Sequence, residues 1–376
     1  MPRDVYRRLA QHLDNLPGGF PPTESGVELR ILRQLFTPEE AELAVHLTLL
    51  SEEPRVIARR AKLPLEETAR RLAEMEKKGL VYGESIRGHM RYMAAQYVVG
   101  IWEYQVNRLT PEIVEDTDEY LPALFDAAWQ ETPQLRTIPV GQSISVPSEV
   151  LPYEQAEELV RAQDRIVVAP CICRRERSMV GEGCDKPEET CLSFGRGADY
   201  YQRNGLGRPI DQQEALEILK QAEEAGLVLQ PGNAKKAMFI CCCCGCCCGV
   251  LRNVKRHPRP ATIVSTPFVA AADAETCKGC GICLERCQME ALSLVDGRIA
   301  LDEDRCIGCG LCVTTCPAGA LTLVRKPTSE QRPVPRNIAG TMVKLWRERG
   351  RTTLPDLLMM VVRSKVDRLL AKRQAR

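Results

Sequence analysis

Residues 277–316 carry one pattern twice: Cys277-x2-Cys280-x2-Cys283-x3-Cys287, then Cys306-x2-Cys309-x2-Cys312-x3-Cys316, with Pro317 directly after. A shift of 29 residues lays every cysteine of the first run on one of the second. The same shift superimposes Gly279 on Gly308, Gly281 on Gly310, Asp273 on Asp302 and Ala291-Leu292 on Ala320-Leu321. Four thiolates at this spacing wrap the corners of a cubane, because the two-residue gaps let three sulfurs curl around one cluster. Between the runs, residues 291–301 alternate apolar and polar around Asp296-Gly297, which predicts a hairpin. Glycines beside the ligands let the backbone close in and aim N–H groups at sulfide. A pair of zinc knuckles is the competing reading, and duplicated four-cysteine runs with no histidine argue against it.

On these residues the stretch resembles a bacterial two-cluster ferredoxin module. The resemblance implies crossed ligation, in which the fourth cysteine of each run serves the other cluster. One [4Fe–4S] cluster then takes Cys277, Cys280, Cys283 and Cys316, and the second takes Cys306, Cys309, Cys312 and Cys287. The one departure is Gln288, where the second run has Pro317; it leaves the ligands intact and alters only the local turn.

A chain of 376 residues holds two or three domains, each with its own core. A formal net charge of +1 argues against a globally polyanion-binding protein. Nineteen cysteines in a secreted chain would suggest disulfides, but eight already sit in the repeated runs. The N-terminus has charge with no apolar run behind it, and no stretch approaches the length of a membrane span, so the expectation is a cytoplasmic protein without a signal peptide.

The fold class read from the pattern is α+β and multidomain. Residues 1–25 form an N-terminal helix and linker, with Val5, Leu9, Leu13 and Leu16 on one face before Pro17-Gly18-Gly19. Residues 26–99 predict short helices and a hairpin. Thr37-Pro38-Glu39-Glu40 is a capping box opening a helix to about Leu50, Pro54–Leu63 is a second, and Leu65–Lys78 a third with Leu65, Ala69, Leu72 and Met75 inward. Leu80–Glu84 and Met90–Ala94 read as strands around Arg87-Gly88. This order resembles the winged helix-turn-helix of bacterial transcription regulators, which implies DNA binding through Leu65–Lys78. That helix balances Arg70, Arg71, Lys77 and Lys78 against Glu66, Glu67, Glu74 and Glu76, whereas a groove-reading helix carries a basic excess. DNA is therefore a possible partner but not the favoured one, and a docking or dimerisation module is preferred. Residues 100–152 form a helical connector, with Thr110-Pro111-Glu112 as a start signal, Trp102, Leu121, Leu124, Phe125 and Trp129 as core candidates, and a proline-rich stretch over Thr132–Pro152.

Residues 153–260 predict an α/β cysteine-rich domain. A short strand, Arg165–Ala169, empties into Pro170-Cys171-Ile172-Cys173-Arg174, and Cys184 and Cys191 follow in a glycine- and charge-rich loop. After a helix over Asp211–Ala225, the strand Ala237–Ile240 empties into Cys241, Cys242, Cys243, Cys244, Gly245, Cys246, Cys247, Cys248 and Gly249. A right-handed crossover would set the two strands parallel, bringing both cysteine groups to one end. The expectation is one shared iron–sulfur or zinc centre ligated by a subset of these eleven thiols. Cys244-Gly245 and Cys248-Gly249 resemble the Cys-Cys-Gly segments of heterodisulfide reductase subunits, but that family's long spacings are absent and its activity is not carried over.

The two-cluster module spans 266–326, and 327–376 is a basic helical tail, in which Arg332–Arg376 holds twelve Lys or Arg against Glu348, Asp356 and Asp367. Its apolar face, with flanking cations, suits an acidic partner, an anionic bilayer surface or packing back on the body, the last being preferred. From about Val5 to Arg347 the order of parts resembles a group of multi-cluster iron–sulfur proteins of anaerobic bacteria, a resemblance that supports architecture more than activity. No nucleotide-binding fingerprint or Ser/His/Asp set is present, catalytic residues are unassigned, and His12, His46, His89 and His257 read as structural. The functional expectation is a single-electron carrier with two [4Fe–4S] clusters and one further iron–sulfur or zinc centre, partnered by an oxidoreductase or another carrier. The alternatives are a redox-sensing winged-helix regulator and an oxidoreductase acting through Cys241–Cys248.

Overall fold

The computed structural model describes residues 4–129, 131–143 and 150–374. Part of the proline-rich linker expected over Thr132–Pro152 lies outside these residues. The chain divides into two compact units, 1–128 with 342–376, and 129–341.

In the first unit, α1 (Val5–Asp14) and α2 (Val27–Leu35) precede α3 (Pro38–Ala44), α4 (Pro54–Ala61) and α5 (Leu65–Lys77). The capping box opening α3 forms: Glu40 N donates to Thr37 Oγ1, and Thr37 N donates to the Glu40 carboxylate. The helix ends at Ala44 rather than near Leu50. In α5 the buried face is Thr68, Leu72, Met75 and Glu76, while Leu65, expected inside, is 48% exposed. The hairpin β1 (Val81–Ile86) and β2 (His89–Ala94) pairs antiparallel around Arg87-Gly88, and Glu52 bridges to Tyr92 on the outer edge of β2. Helix α6 (Pro111–Ala128) buries Leu121, Leu124 and Phe125. Phe20, Tyr97 and Tyr120 pack as an aromatic group with centroids 4.8–5.7 Å apart.

The second unit is built on a five-stranded antiparallel sheet. After α7 (Ala156–Arg161) come β3 (Ile166–Pro170), α8 (Ile172–Met179), β4 (Glu189–Phe194), α9 (Arg196–Arg203), β5 (Arg208–Ile210), α10 (Gln212–Glu224), β6 (Val228–Pro231), β7 (Phe239–Cys243), α11 (Gly249–Arg256) and α12 (Pro260–Ile263). The strand order is β5-β3-β4-β7-β6. Every neighbouring pair is antiparallel, so β3 and β7 do run in the same direction, but with β4 between them instead of a crossover joining adjacent parallel strands. Cys191, expected in a loop, lies within β4. Val167, Val168, Leu192 and Ile240 are buried in this sheet, and Ala215, Leu219 and Ala222 of α10 cover one face.

The repeated cysteine region follows in the same unit as β8 (Phe268–Ala272), α13 (Ile282–Arg286), β9 (Leu292–Val295), β10 (Arg298–Leu301), α14 (Leu311–Thr314) and β11 (Leu321–Arg325). β9 and β10 form the expected hairpin, with Asp296 and Gly297 at φ 49° and 73°, as a type I′ turn requires. β11 closes on β8. Helix α15 (Ile338–Glu348) leads into α16 (Leu354–Gln374), which lies against α4 within the first unit: Asp367 accepts from Arg59 and Arg60, and Ser364 Oγ donates to Glu52 at 2.6 Å. Among the described residues no helix is long and apolar enough to cross a membrane.

Candidate metal–thiolate sites

The two cysteine runs fold into matching loops. Gly279 and Gly308 both have positive φ (67° and 63°), and a Cβ on either would strike a backbone oxygen, that of Gly297 or of Phe268. Backbone donors repeat with the same offset: Ala291 N reaches Cys287 Sγ at 3.2 Å, and Ala320 N reaches Cys316 Sγ at 3.3 Å. Gly279 N adds a contact to Cys277 Sγ at 3.3 Å and Ala270 N one to Cys306 Sγ at 3.4 Å. N–H groups aimed at sulfur stabilise negative charge there and tune the potential of a metal it holds.

Cys287, Cys306, Cys309 and Cys312 line one cavity, which places the last cysteine of the first run among three of the second. Cys283 feels the charges of Cys316, Cys280 and Cys277. Burial pushes the Cys309 thiol up to about 12, with Cys287 and Cys306 adding repulsion. Burial likewise raises Cys306 and Cys312. Thiols this crowded, raised by burial and by one another's charge, are poor as free thiolates and well matched to a cationic iron core. The donor set therefore fits the cofactor that the repeat implies.

The eleven cysteines of the middle region do not all meet, and their contacts fall into two groups. Cys184, Cys244, Cys246 and Cys247 have sulfurs within 4.8 Å of one another. Cys247–Cys184, Cys247–Cys246 and Cys184–Cys244 are 3.5, 3.8 and 4.0 Å apart. Burial raises the Cys246 thiol to about 11 and also raises Cys247, with Cys244 contributing to both. Burial would raise Cys184 too, but the Lys186 N–H and bonds from Cys247, Cys246 and Cys244 turn its net shift downward.

The second group lies where β3, β4 and β7 meet α8 and α11. Cys171 caps α8 and Cys248 caps α11. Cys191 and Cys241 are direct partners in the β4–β7 register, and Cys243 follows on the same face of β7. Hydrogen bonds from Cys173 hold Cys171 down, those from Cys191 and Cys243 hold Cys241 well down, and those from Cys173 and Cys243 do the same for Cys248. The donors Cys173 and Cys243 are raised in turn. Cys242 stands apart: it is 2% exposed in the hydrophobic core, and burial pushes its thiol up.

Two residues that the spacing argument did not assign matter here. Arg174, 3% exposed, donates to Cys242 O at 3.2 Å and reaches Cys244 Sγ at 3.9 Å. Burial disfavours its charge, but the thiolates of Cys171, Cys244 and Cys243 outweigh that and raise its pKa. The signal was its place in Pro-Cys-Ile-Cys-Arg, directly after two cysteines. Gln288, the departure from the repeat, accepts from Gly245 N at 2.7 Å, and a Cβ on Gly245 would meet Gln288 O at 2.3 Å. The residue after Cys287 is thus seated in the bend between Cys244 and Cys246.

Residues 276–320 match the family model described as a 4Fe-4S dicluster domain. No curated protein and no solved structure matches the chain. The match and the grouped cysteines together support an iron–sulfur protein with a ferredoxin-type dicluster domain toward its C-terminus.

Proposed function

We propose that this chain is an electron-transfer protein in which Cys277, Cys280, Cys283 and Cys316 hold one [4Fe–4S] cluster and Cys306, Cys309, Cys312 and Cys287 hold another, serving a redox partner protein. Such clusters supply one-electron chemistry when bound. The observation that carries the reading is the duplicated loop geometry: one N–H···S contact, to the last cysteine of each run, and two positive-φ glycines recur 29 residues apart. The chain's own contribution is to seat the thiolates, direct amide dipoles at them and keep water from the cavity lined by Ala270, Ile307 and Leu311.

Cys184, Cys244, Cys246 and Cys247 form a further metal–thiolate centre. Sulfurs 3.5–4.0 Å apart match the edge of a tetrahedron built on metal–sulfur bonds of about 2.3 Å, roughly 3.8 Å, so the site suits a single zinc or iron ion. Gln288 ties this loop to the dicluster domain and fixes their separation.

Reductive titration of the anaerobically loaded full chain, followed by electron paramagnetic resonance, tests the reading. Two iron–sulfur signals are expected, and Gln288→Ala should keep the dicluster iron while shifting the midpoint of the signal that depends on Cys287. The absence of any iron signal between about −700 and +450 mV, the span open to such clusters, would end the electron-transfer reading.

The helices and hairpin of the first unit support a winged-helix reading in which the domain docks proteins rather than DNA. On α5, Arg70 pairs with Glu74 and Arg71 with Glu67, so the cations that would meet phosphates are already engaged along the helix. Selection from random duplex DNA, with oxidised and with reduced protein, is expected to return no discrete site. Recovery of a defined sequence with a steep salt dependence would make the regulator the better account.

A further inference from the structure

We propose that Cys171, Cys173, Cys191, Cys241, Cys243 and Cys248 form a second metal site of the middle region, separate from the four-thiol site and built for an iron–sulfur cluster. The inference goes beyond the electron-transfer reading and needs only that this region binds metal.

The contacts run as a chain, Cys171–Cys173–Cys248–Cys243–Cys241–Cys191. No three of the six are gathered as tightly as Cys184, Cys244, Cys246 and Cys247 are. One tetrahedral ion takes four sulfurs about 3.8 Å apart. Six sulfurs strung along the ends of three strands suit a polynuclear core, whose ligands stand further apart.

Iron–sulfur clusters carry inorganic sulfide and thiolate together and are stabilised by donors aimed at sulfur. Two helices, α8 and α11, begin at members of this set, Cys171 and Cys248. Sulfurs at these N-termini meet the positive ends of two helix dipoles. The Arg174 guanidinium feels Cys171 and Cys243 of this set, as well as Cys244 of the four-thiol group, and its Nε is buried without a hydrogen-bond partner. A buried cation and two helix N-termini around six thiols suit the net negative charge that thiolate and sulfide bring to an iron–sulfur cluster.

On β7, Cys241 and Cys243 share one face and Cys242 takes the other, so strand alternation selects from a continuous run of cysteines.

The test uses the full chain, loaded anaerobically with iron and sulfide, with zinc measured in parallel. Cys171→Ser with Cys191→Ser is expected to remove about four iron and their sulfide, leaving the dicluster signals and the metal at Cys184 and Cys246 in place. Cys184→Ser with Cys246→Ser should remove a different, smaller share of metal, and the four-fold variant should lose the sum. If the four-fold variant loses no more than either pair, the middle region has one shared centre and the proposal is overturned. The same holds if the Cys171 pair loses no iron, if its site takes zinc alone, or if its thiols are recovered as disulfide. Cys173→Ser with Cys243→Ser repeats the measurement should the first pair fail to fold, as judged by circular dichroism. Absence of the eight or so dicluster iron alone would count against the electron-transfer reading and not against this site.

Discussion

Cys280→Ala combined with Cys309→Ala is expected to strip the dicluster domain of more than half of its iron, from the roughly eight that two four-iron clusters hold. Each substitution takes one ligand from a different four-cysteine set, so neither set is left complete. Cys309 is the more consequential of the two: it lies in the cavity with Cys287, Cys306 and Cys312, whereas Cys280 is exposed. Cys242→Ser is the matched control. Its thiol belongs to neither thiol group of the middle region and packs in the core, so the change costs stability without costing metal. Iron and sulfide analysis after anaerobic loading reads both results. Retention of full iron in the double variant, or zinc in stoichiometric amount with iron near zero, would show that the repeated runs bind something else.

Glu52→Ala is expected to destabilise the first unit by about 3 kcal/mol, the low end of what breaking a buried ion pair costs. Glu52 is 1% exposed and accepts from Arg60 Nη1 and Nη2, both at 3.0 Å, from Ser364 Oγ and from Thr48 Oγ1 at 3.2 Å. Its loss leaves the Arg60 guanidinium with Asp367 and the His46 carbonyl as remaining partners, and leaves Ser364, 4% exposed, without its acceptor. The same carboxylate ties α4 to α16, so the variant should also expose the C-terminal helix to protease. Urea unfolding followed by tryptophan fluorescence gives the free energy, and the double change with Ser364→Ala gives the coupling between the two helices. A shift below about 0.5 kcal/mol, the size of an ordinary surface substitution, would mean that α16 is not held through this network.

The dicluster region was readable because its information is local. Ligands three or four residues apart, the glycines beside them and the Asp296-Gly297 turn lie within one 29-residue repeat, and local spacing decides their geometry. Capping boxes and core faces were readable for the same reason, as Thr37–Glu40 and Leu72–Met75 show. Leu65 fell outside that rule because the buried face of α5 begins at Thr68 and leaves Leu65 to solvent, whatever its hydropathy.

The middle region was different. Its composition pointed to a metal–thiolate site, and strand alternation within Cys241–Cys244 already implied that these cysteines divide between two faces. Which thiols meet was decided by strand order. β4 inserts between β3 and β7, and that register sets Cys191 opposite Cys241, 50 residues away. The loop before β4 carries Cys184 to Cys244 and Cys247, some 60 residues on. Gln288 reads as a mere lapse in a repeat until the fold lays Gly245 against it. Contacts at such separations depend on how a sheet is ordered, which no spacing within a single segment encodes. The sequence by itself determined the repeated cysteine runs and their loops; which of the remaining thiols come together belongs to the tertiary structure, because only the sheet brings distant strand ends together.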